Sequence, residues 1–164
     1  MNTTPLELEN IYDLAYKALS AHGCDHFNAD SVATTVSHAE RDGSVSHGLF
    51  RIPGYVASLK SKKANGVSRP SNTYLTQNAI RVEGDYGFAP VGIKVGLPEL
   101  INTTNKHGVG VLTITNTHHF AALWHETEAL AENNLIGIAC TAYKPSVAPA
   151  GAKTPLFGTN PISF

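Results

Sequence analysis

Val109-Gly-Val-Leu-Thr-Ile-Thr-Asn-Thr-His-His-Phe-Ala-Ala-Leu-Trp124 reads as a strand that runs into a helix. Residues Val109 to Thr115 are β-branched and apolar, as in a buried strand. Phe120 to Asn133, with Ala121, Leu123, Trp124 and Leu130, follows as a helix, and Leu135 to Ala142 as another buried strand. On the near side, Ala79 to Glu83 alternates like a strand, and Gly84-Asp85 turns the chain. Pro90 opens a helix that runs to His107-Gly108, with Pro98 as a possible break. This strand–helix–strand rhythm predicts an α/β layer with parallel pairing.

Upstream the pattern is helical. Leu8, Ile11, Leu14, Ala15, Ala18 and Leu19 form one apolar stripe, stopped by Gly23. Asn28 or Asp30 can cap a second helix, with Val32, Ala33, Val36 and Ala39 facing inward and an end near Asp42-Gly43. A third helix, capped by Ser46, carries Leu49, Ile52, Val56 and Leu59; Pro53 should kink it or confine its first part to a single turn. Lys60 to Thr73 is polar, contains Gly66 and Pro70, and reads as a connecting loop. The division expected is a helical region, residues 1–66, and an α/β region, residues 72–164. The last residues, Pro155 to Phe164, look like a loop entering a new strand, so the α/β layer is expected to be incomplete at the C-terminus.

At 164 residues the chain has the size of an ordinary domain. It is 42% hydrophobic and 15% charged with a formal net charge of −1, so no overall field draws it to nucleic acid or an acidic membrane. No apolar run approaches a membrane span, and the N-terminus does not read as a signal peptide. Cys24 and Cys140 are far apart and form no CxxC pair, which fits a reduced cytoplasmic chain. None of the eight histidines sits in an HExxH or similar metal spacing, so no metal site is expected.

Three segments carry chemistry. In Arg41-Asp-Gly-Ser-Val-Ser-His-Gly-Leu-Phe-Arg-Ile-Pro-Gly-Tyr55, a helix starting at Ser46 would project His47 and Arg51 to one side. His47 exchanges a proton near neutral pH and Arg51 fits a carboxylate. Together they suit a small 2-oxo or 2-imino acid. The plainer reading is a capping Ser46, a surface His47 and a solvated Arg51. In Thr115 to Trp124, the end of a strand and the start of a helix form a place where α/β proteins hold ligands. His118 and His119 can add polar contacts there, or the segment is a cap with Phe120 and Trp124 in the core. No GxGxxG is present. In Gly151 to Pro161, Gly158 permits an unusual backbone angle, and Thr159 and Asn160 can meet a ligand or merely turn the chain.

In order along the chain, these segments resemble the type-2 malate/L-lactate dehydrogenase family, whose nicotinamide-binding fold is not the Rossmann type. The resemblance rests on Asp42-Gly43 before Ser46-His47-Gly48, on Arg51, Pro53 and Tyr55, on the passage through Gly108, on His119-Phe120, and on Gly158-Thr-Asn-Pro161. Phe50-Arg-Ile-Pro-Gly-Tyr55 and His118-His-Phe-Ala-Ala-Leu-Trp124 look most like the Δ1-piperideine-2-carboxylate/Δ1-pyrroline-2-carboxylate reductases within it. The resemblance implies NADPH-dependent reduction of a cyclic imino acid to L-pipecolate or L-proline, with NADH as the alternative cofactor. It implies His47 as proton donor oriented by Ser46, and Arg51 and Thr159 on the substrate carboxylate. It places His119, Phe120, Ala121, Ala122 and Leu123 at the NADP site. Family members are homodimers about twice this length, so a homodimer or a complementary C-terminal half is the partner implied. A malate, lactate or ureidoglycolate-type 2-hydroxy acid dehydrogenase is the alternative activity; an inactive truncated subunit or one half of a split enzyme is the alternative state.

Overall fold

The computed structural model describes residues 5–164. Its chain divides into two compact units, one ending at Ala122 and one spanning Leu123–Phe164. Among the described residues no helix is long and apolar enough to cross a membrane.

The first unit opens with α1 (Leu8–Ser20) and α2 (His26–Arg41). Ile11, Ala15 and Leu19 of α1 are buried, whereas Leu8 and Leu14 of the expected stripe are exposed. Val32, Ala33, Val36 and Ala39 of α2 face inward as their spacing predicts. The cap of α2 is Asp25, whose side chain accepts from Asn28 N at 3.0 Å, not Asn28 or Asp30. Asn28 is instead a buried third residue of the helix, bonded to Ser68 Oγ at 2.6 Å. Asp30 instead pairs with Lys94 and accepts from Tyr12. Tyr55, Leu59, Phe88 and Val91 complete the core over Leu19, Val32 and Val36.

A three-stranded sheet of order β1–β2–β3 follows, with β1 Ser71–Thr76, β2 Ala79–Glu83 and β3 Val111–Thr115. β1 and β2 are antiparallel; β2 and β3 are parallel, in register from Ala79↔Val111 to Glu83↔Thr115. Strand β2 has the bounds its alternation predicts. β1 lies partly in the stretch expected to be loop, because Ser-Asn-Thr-Tyr-Leu-Thr is too polar to register as a strand. It is held by pairing to β2 and by Tyr74 Oη to Glu99 at 2.6 Å. α4 (Ala89–His107) is the crossover, with Pro90 in its first turn and left-handed Gly108 at its end. It runs unbroken through Pro98. β3 is not fully buried: Val111 is 52% exposed, and only Leu112 and Ile114 are half-covered.

In the second unit, α5 spans Trp124–Glu132, shorter than the helix expected from Phe120. The expected strand Leu135–Ala142 is reduced to β4 (Ala139–Cys140), antiparallel to β5 (Ile162–Ser163) rather than parallel to an earlier strand. Thr127 Oγ1 bonds Ser163 Oγ at 2.7 Å, and a bridge joins Val147 to Phe157. The α/β class therefore stands.

Candidate active site

The segment after α2 is not the start of an α-helix. Two 3-10 turns, Val45–His47 and Leu49–Arg51, precede α3 (Ile52–Lys60). Pro53 lies in the first turn of α3; lacking an N–H, it cannot continue a helical ladder from upstream. The three-residue spacing shows in His47 N to Ser44 O at 2.8 Å and Arg51 N to Gly48 O at 2.9 Å. His47 and Arg51 are thus placed by consecutive tight turns rather than by one helical face.

Ser46 does not cap a helix; it links the two groups. Its hydroxyl shares a 2.9 Å hydrogen bond with His47 Nδ1, and its carbonyl accepts from Arg51 Nε at 2.6 Å. Ser44 Oγ also reaches His47 Nδ1, at 3.3 Å. Burial, and then the Arg51 charge, hold the His47 pKa below its ordinary value, favouring the neutral ring.

The loop after β3 is zipped to the turn before α4. Tyr86 N donates to Asn116 O at 2.8 Å, His118 N to Gly87 O at 2.7 Å, and Ala89 N to His118 O at 3.2 Å. Asn116, His119 and Ala121 adopt left-handed backbone angles, φ 52°, 50° and 58°, which explains why the helix expected from Phe120 starts later. Non-glycine residues hold such angles at a cost, and they gather where function demands them.

α3 grips this loop. Ser58 Oγ bonds His118 Nε2 at 2.9 Å, and Tyr55 Oη bonds His119 Nδ1 at 3.1 Å. Ala121 N also donates to His119 Nδ1 at 3.1 Å. A backbone N–H can only donate, so Nδ1 carries no proton and Tyr55 donates to it as well. His119 is therefore a neutral ring with its hydrogen on Nε2. Its pKa is held down to about 4 by burial first, then by Arg51, His118 and His47. The first two candidate segments thus share one electrostatic neighbourhood. The His119 and Phe120 rings stack with centroids 5.6 Å apart and planes 5° from parallel. Ala121 and Ala122 are each 2% exposed and Leu123 is buried, so these three present little surface to a ligand.

Thr159 lies exposed in the second unit. Gly158 is needed for space rather than for an unusual angle: a Cβ there would lie 2.1 Å from Tyr143 O. The left-handed residue is Asn160, φ 42°, whose Oδ1 accepts from Tyr143 N at 3.0 Å.

Sequence alone singles out neither Ser44 nor Glu40 and assigns no role to Tyr55 or Ser58; it offers His118 only as a polar contact to a ligand. Tyr55 and Ser58 lie three apart within α3, a helical spacing that marks one face of it. Glu40, nine residues before the Leu49 amide it binds, leaves no comparable signal.

The sequence profile of the malate/L-lactate dehydrogenase family matches residues 6–164. The chain is 36% identical to Delta(1)-pyrroline-2-carboxylate reductase 2 of Burkholderia multivorans, over 97% of this chain and 47% of that protein. The crystal structure of delta1-piperideine-2-carboxylate reductase from Pseudomonas syringae superposes with a TM-score of 0.90 at 38% identity, covering 98% of this chain and 48% of that one. Malate dehydrogenase from Entamoeba histolytica also superposes with a TM-score of 0.90, at 28% identity over 98% of this chain and 45% of that one. The chain spans about half the length of the curated relatives it matches.

Proposed function

The chain belongs to the malate/L-lactate dehydrogenase family, and from that premise we propose that it carries the proton-donating and carboxylate-gripping part of a cytoplasmic, NADPH-dependent cyclic imino acid reductase. Its substrates are Δ1-pyrroline-2-carboxylate and Δ1-piperideine-2-carboxylate, and its products L-proline and L-pipecolate. The observation that carries the reading is Ser46, bonded through its hydroxyl to His47 and through its carbonyl to Arg51. One residue thereby touches both a proton donor and an anion clamp.

A nicotinamide cofactor, NADPH in this reading and NADH in the alternative, supplies the hydride when bound. The residues present fit such a group: the stacked His119 and Phe120 rings offer an aromatic edge, and the His119 Nε2–H a fixed donor. Ala121, Ala122 and Leu123 follow these rings in the chain and are themselves buried. Arg51 Nε donates to Ser46 O, which leaves its terminal amino groups for a substrate carboxylate. His47 holds a proton against the imine nitrogen, where electron density grows as C2 is reduced. Ser46 keeps the ring turned for that transfer.

The complete assembly is a homodimer, or this chain joined to a complementary C-terminal half. The test is cofactor-linked reduction of both cyclic imines by the chain, alone and with that half. His47→Ala should lower kcat by about 10²–10⁴-fold. Arg51→Ala should raise KM by about tenfold to a hundredfold, the worth of a charge-assisted hydrogen bond. Undiminished turnover in the His47 variant would remove the proton-donor role. A second reading, reduction of a 2-oxo acid, is favoured by the likeness to a malate dehydrogenase at TM-score 0.90. Faster turnover of oxaloacetate or pyruvate than of either imine would select it.

A further inference from the structure

We propose that Glu40 is a positioning residue that sets the separation between His47 and Arg51, resting on the roles given to those two groups above. The loop carrying both side chains meets the core-packed helix α2 through this carboxylate. Glu40 lies in the last turn of α2, and its Oε1 accepts from Leu49 N at 2.7 Å. Leu49 stands between His47 and Arg51, at the junction of the two 3-10 turns. A charged acceptor makes this one of the stronger classes of hydrogen bond.

The neighbouring glycine is cut to fit the same group. A Cβ on Gly48 would lie 2.1 Å from Glu40 Oε1, 2.4 Å from its Cδ and 2.6 Å from its Cγ. The Glu40 carboxyl therefore occupies the space a side chain at position 48 would need. Upstream, Ser44 N donates to Ala39 O at 2.8 Å and Gly43 N to Glu40 O at 3.0 Å, which anchors the start of the loop. Beyond Ser44, the backbone bonds of the turns among the described residues run to Ser44 O, Val45 O and Gly48 O. Glu40 ties that segment to the helix. Moving the Leu49 amide would move His47 and Arg51 apart or together, and their separation selects a substrate by the distance from its carboxylate to the atom it protonates.

The role needs an acceptor oxygen at the right place. The charge on Glu40 is not among the causes that shift His47, which are burial and Arg51. Glu40→Gln therefore keeps the function through its amide oxygen, whereas Glu40→Ala loses it. Gly48→Ala leaves the charge in place but displaces the carboxyl.

The experiment is NMR on the 164-residue chain and these three variants. It follows Leu49 amide exchange, the His47 ring nitrogens, and titration with pyrrole-2-carboxylate, a flat ring bearing a carboxylate. In Glu40→Ala and Gly48→Ala, Leu49 should exchange about tenfold faster or more, the His47 Nδ1 signal should move, and pyrrole-2-carboxylate should bind about tenfold more weakly. Glu40→Gln should keep all three near the parent. Parent-like His47 signals in a folded Glu40→Ala or Gly48→Ala chain would overturn the proposal. So would a Glu40→Gln chain as damaged as Glu40→Ala, which would make the charge the cause. Should Glu40→Ala fail to fold, Gly48→Ala decides. If the parent chain ignores pyrrole-2-carboxylate while the loop signals respond as stated, the positioning role stands and the carboxylate-binding reading falls.

Discussion

At the scale of single residues, the environment of each ionisable group states how the molecule responds to pH. His47 is biased neutral by burial and by Arg51. An anion on Arg51 cancels the second cause and adds attraction for a proton, so the His47 pKa rises on binding. Binding of pyrrole-2-carboxylate should therefore take up protons. Calorimetry in two buffers of different ionisation enthalpy checks the sign, and proton release would contradict it. His119, with its pKa near 4 in the fold, contributes stability that is present above about pH 6.5 and lost as pH falls to about 4. Glu126, pushed up to about 8 by burial, contributes stability that is complete below its ordinary value and lost as pH rises through about 8. Thermal unfolding across pH should show both limbs. His119→Asn should flatten the acid limb and Glu126→Gln the alkaline one. Tyr55→Phe should cost about 1 kcal/mol while leaving the His119 tautomer intact, because Ala121 N still donates to Nδ1.

At the scale of elements, α3 and α4 show two uses of proline. Pro53 lies where a helix begins, and its missing N–H costs nothing there. Pro98 lies inside α4, where it removes one helical hydrogen bond, and its side chain is exposed. Pro98→Ala should restore that bond and raise stability by about 1–2 kcal/mol, net of the chain entropy proline removes from the unfolded state. A lowered melting temperature would count against this account. The elements that were legible are those whose own residues suffice. The β-branched alternation of β2 and the inward face Val32, Ala33, Val36 and Ala39 of α2 are examples. Strand β1 was hidden because its residues are polar and its partner supplies the order. The late start of α5 was hidden because the left-handed angles at His119 and Ala121 lie in a loop tied to distant residues, His118 N to Gly87 O and His119 Nδ1 to Tyr55.

At the scale of the whole molecule, β4 and β5 form a ribbon with two unlike faces. The pairing Ala139↔Ser163 and Cys140↔Ile162 puts Ser163 on the side that bonds α5 through Thr127. The same alternation puts Ile138, Cys140, Ile162 and Phe164 on the other side. There Ile138 is 71% exposed, Ile162 73% and Phe164 87%. An apolar row of this kind invites association. The chain should bind a dye selective for apolar surface and sediment as larger species with rising concentration. Ile138→Lys with Phe164→Lys should reduce both effects, and unchanged sedimentation would refute the assignment. What the sequence determined by itself was the α/β class, the inward face of α2 and the bounds of β2, and it singled out Ser46, His47 and Arg51 as candidates, because local periodicity and chemical type are properties of neighbours in the chain. What only the tertiary structure decided was how those groups are held: Glu40 under Leu49, Tyr55 and Ala121 on one nitrogen of His119, and 3-10 turns in place of a helix. Each depends on atoms brought together by burial across spans of chain, where no repeat of residue type marks the partners in advance.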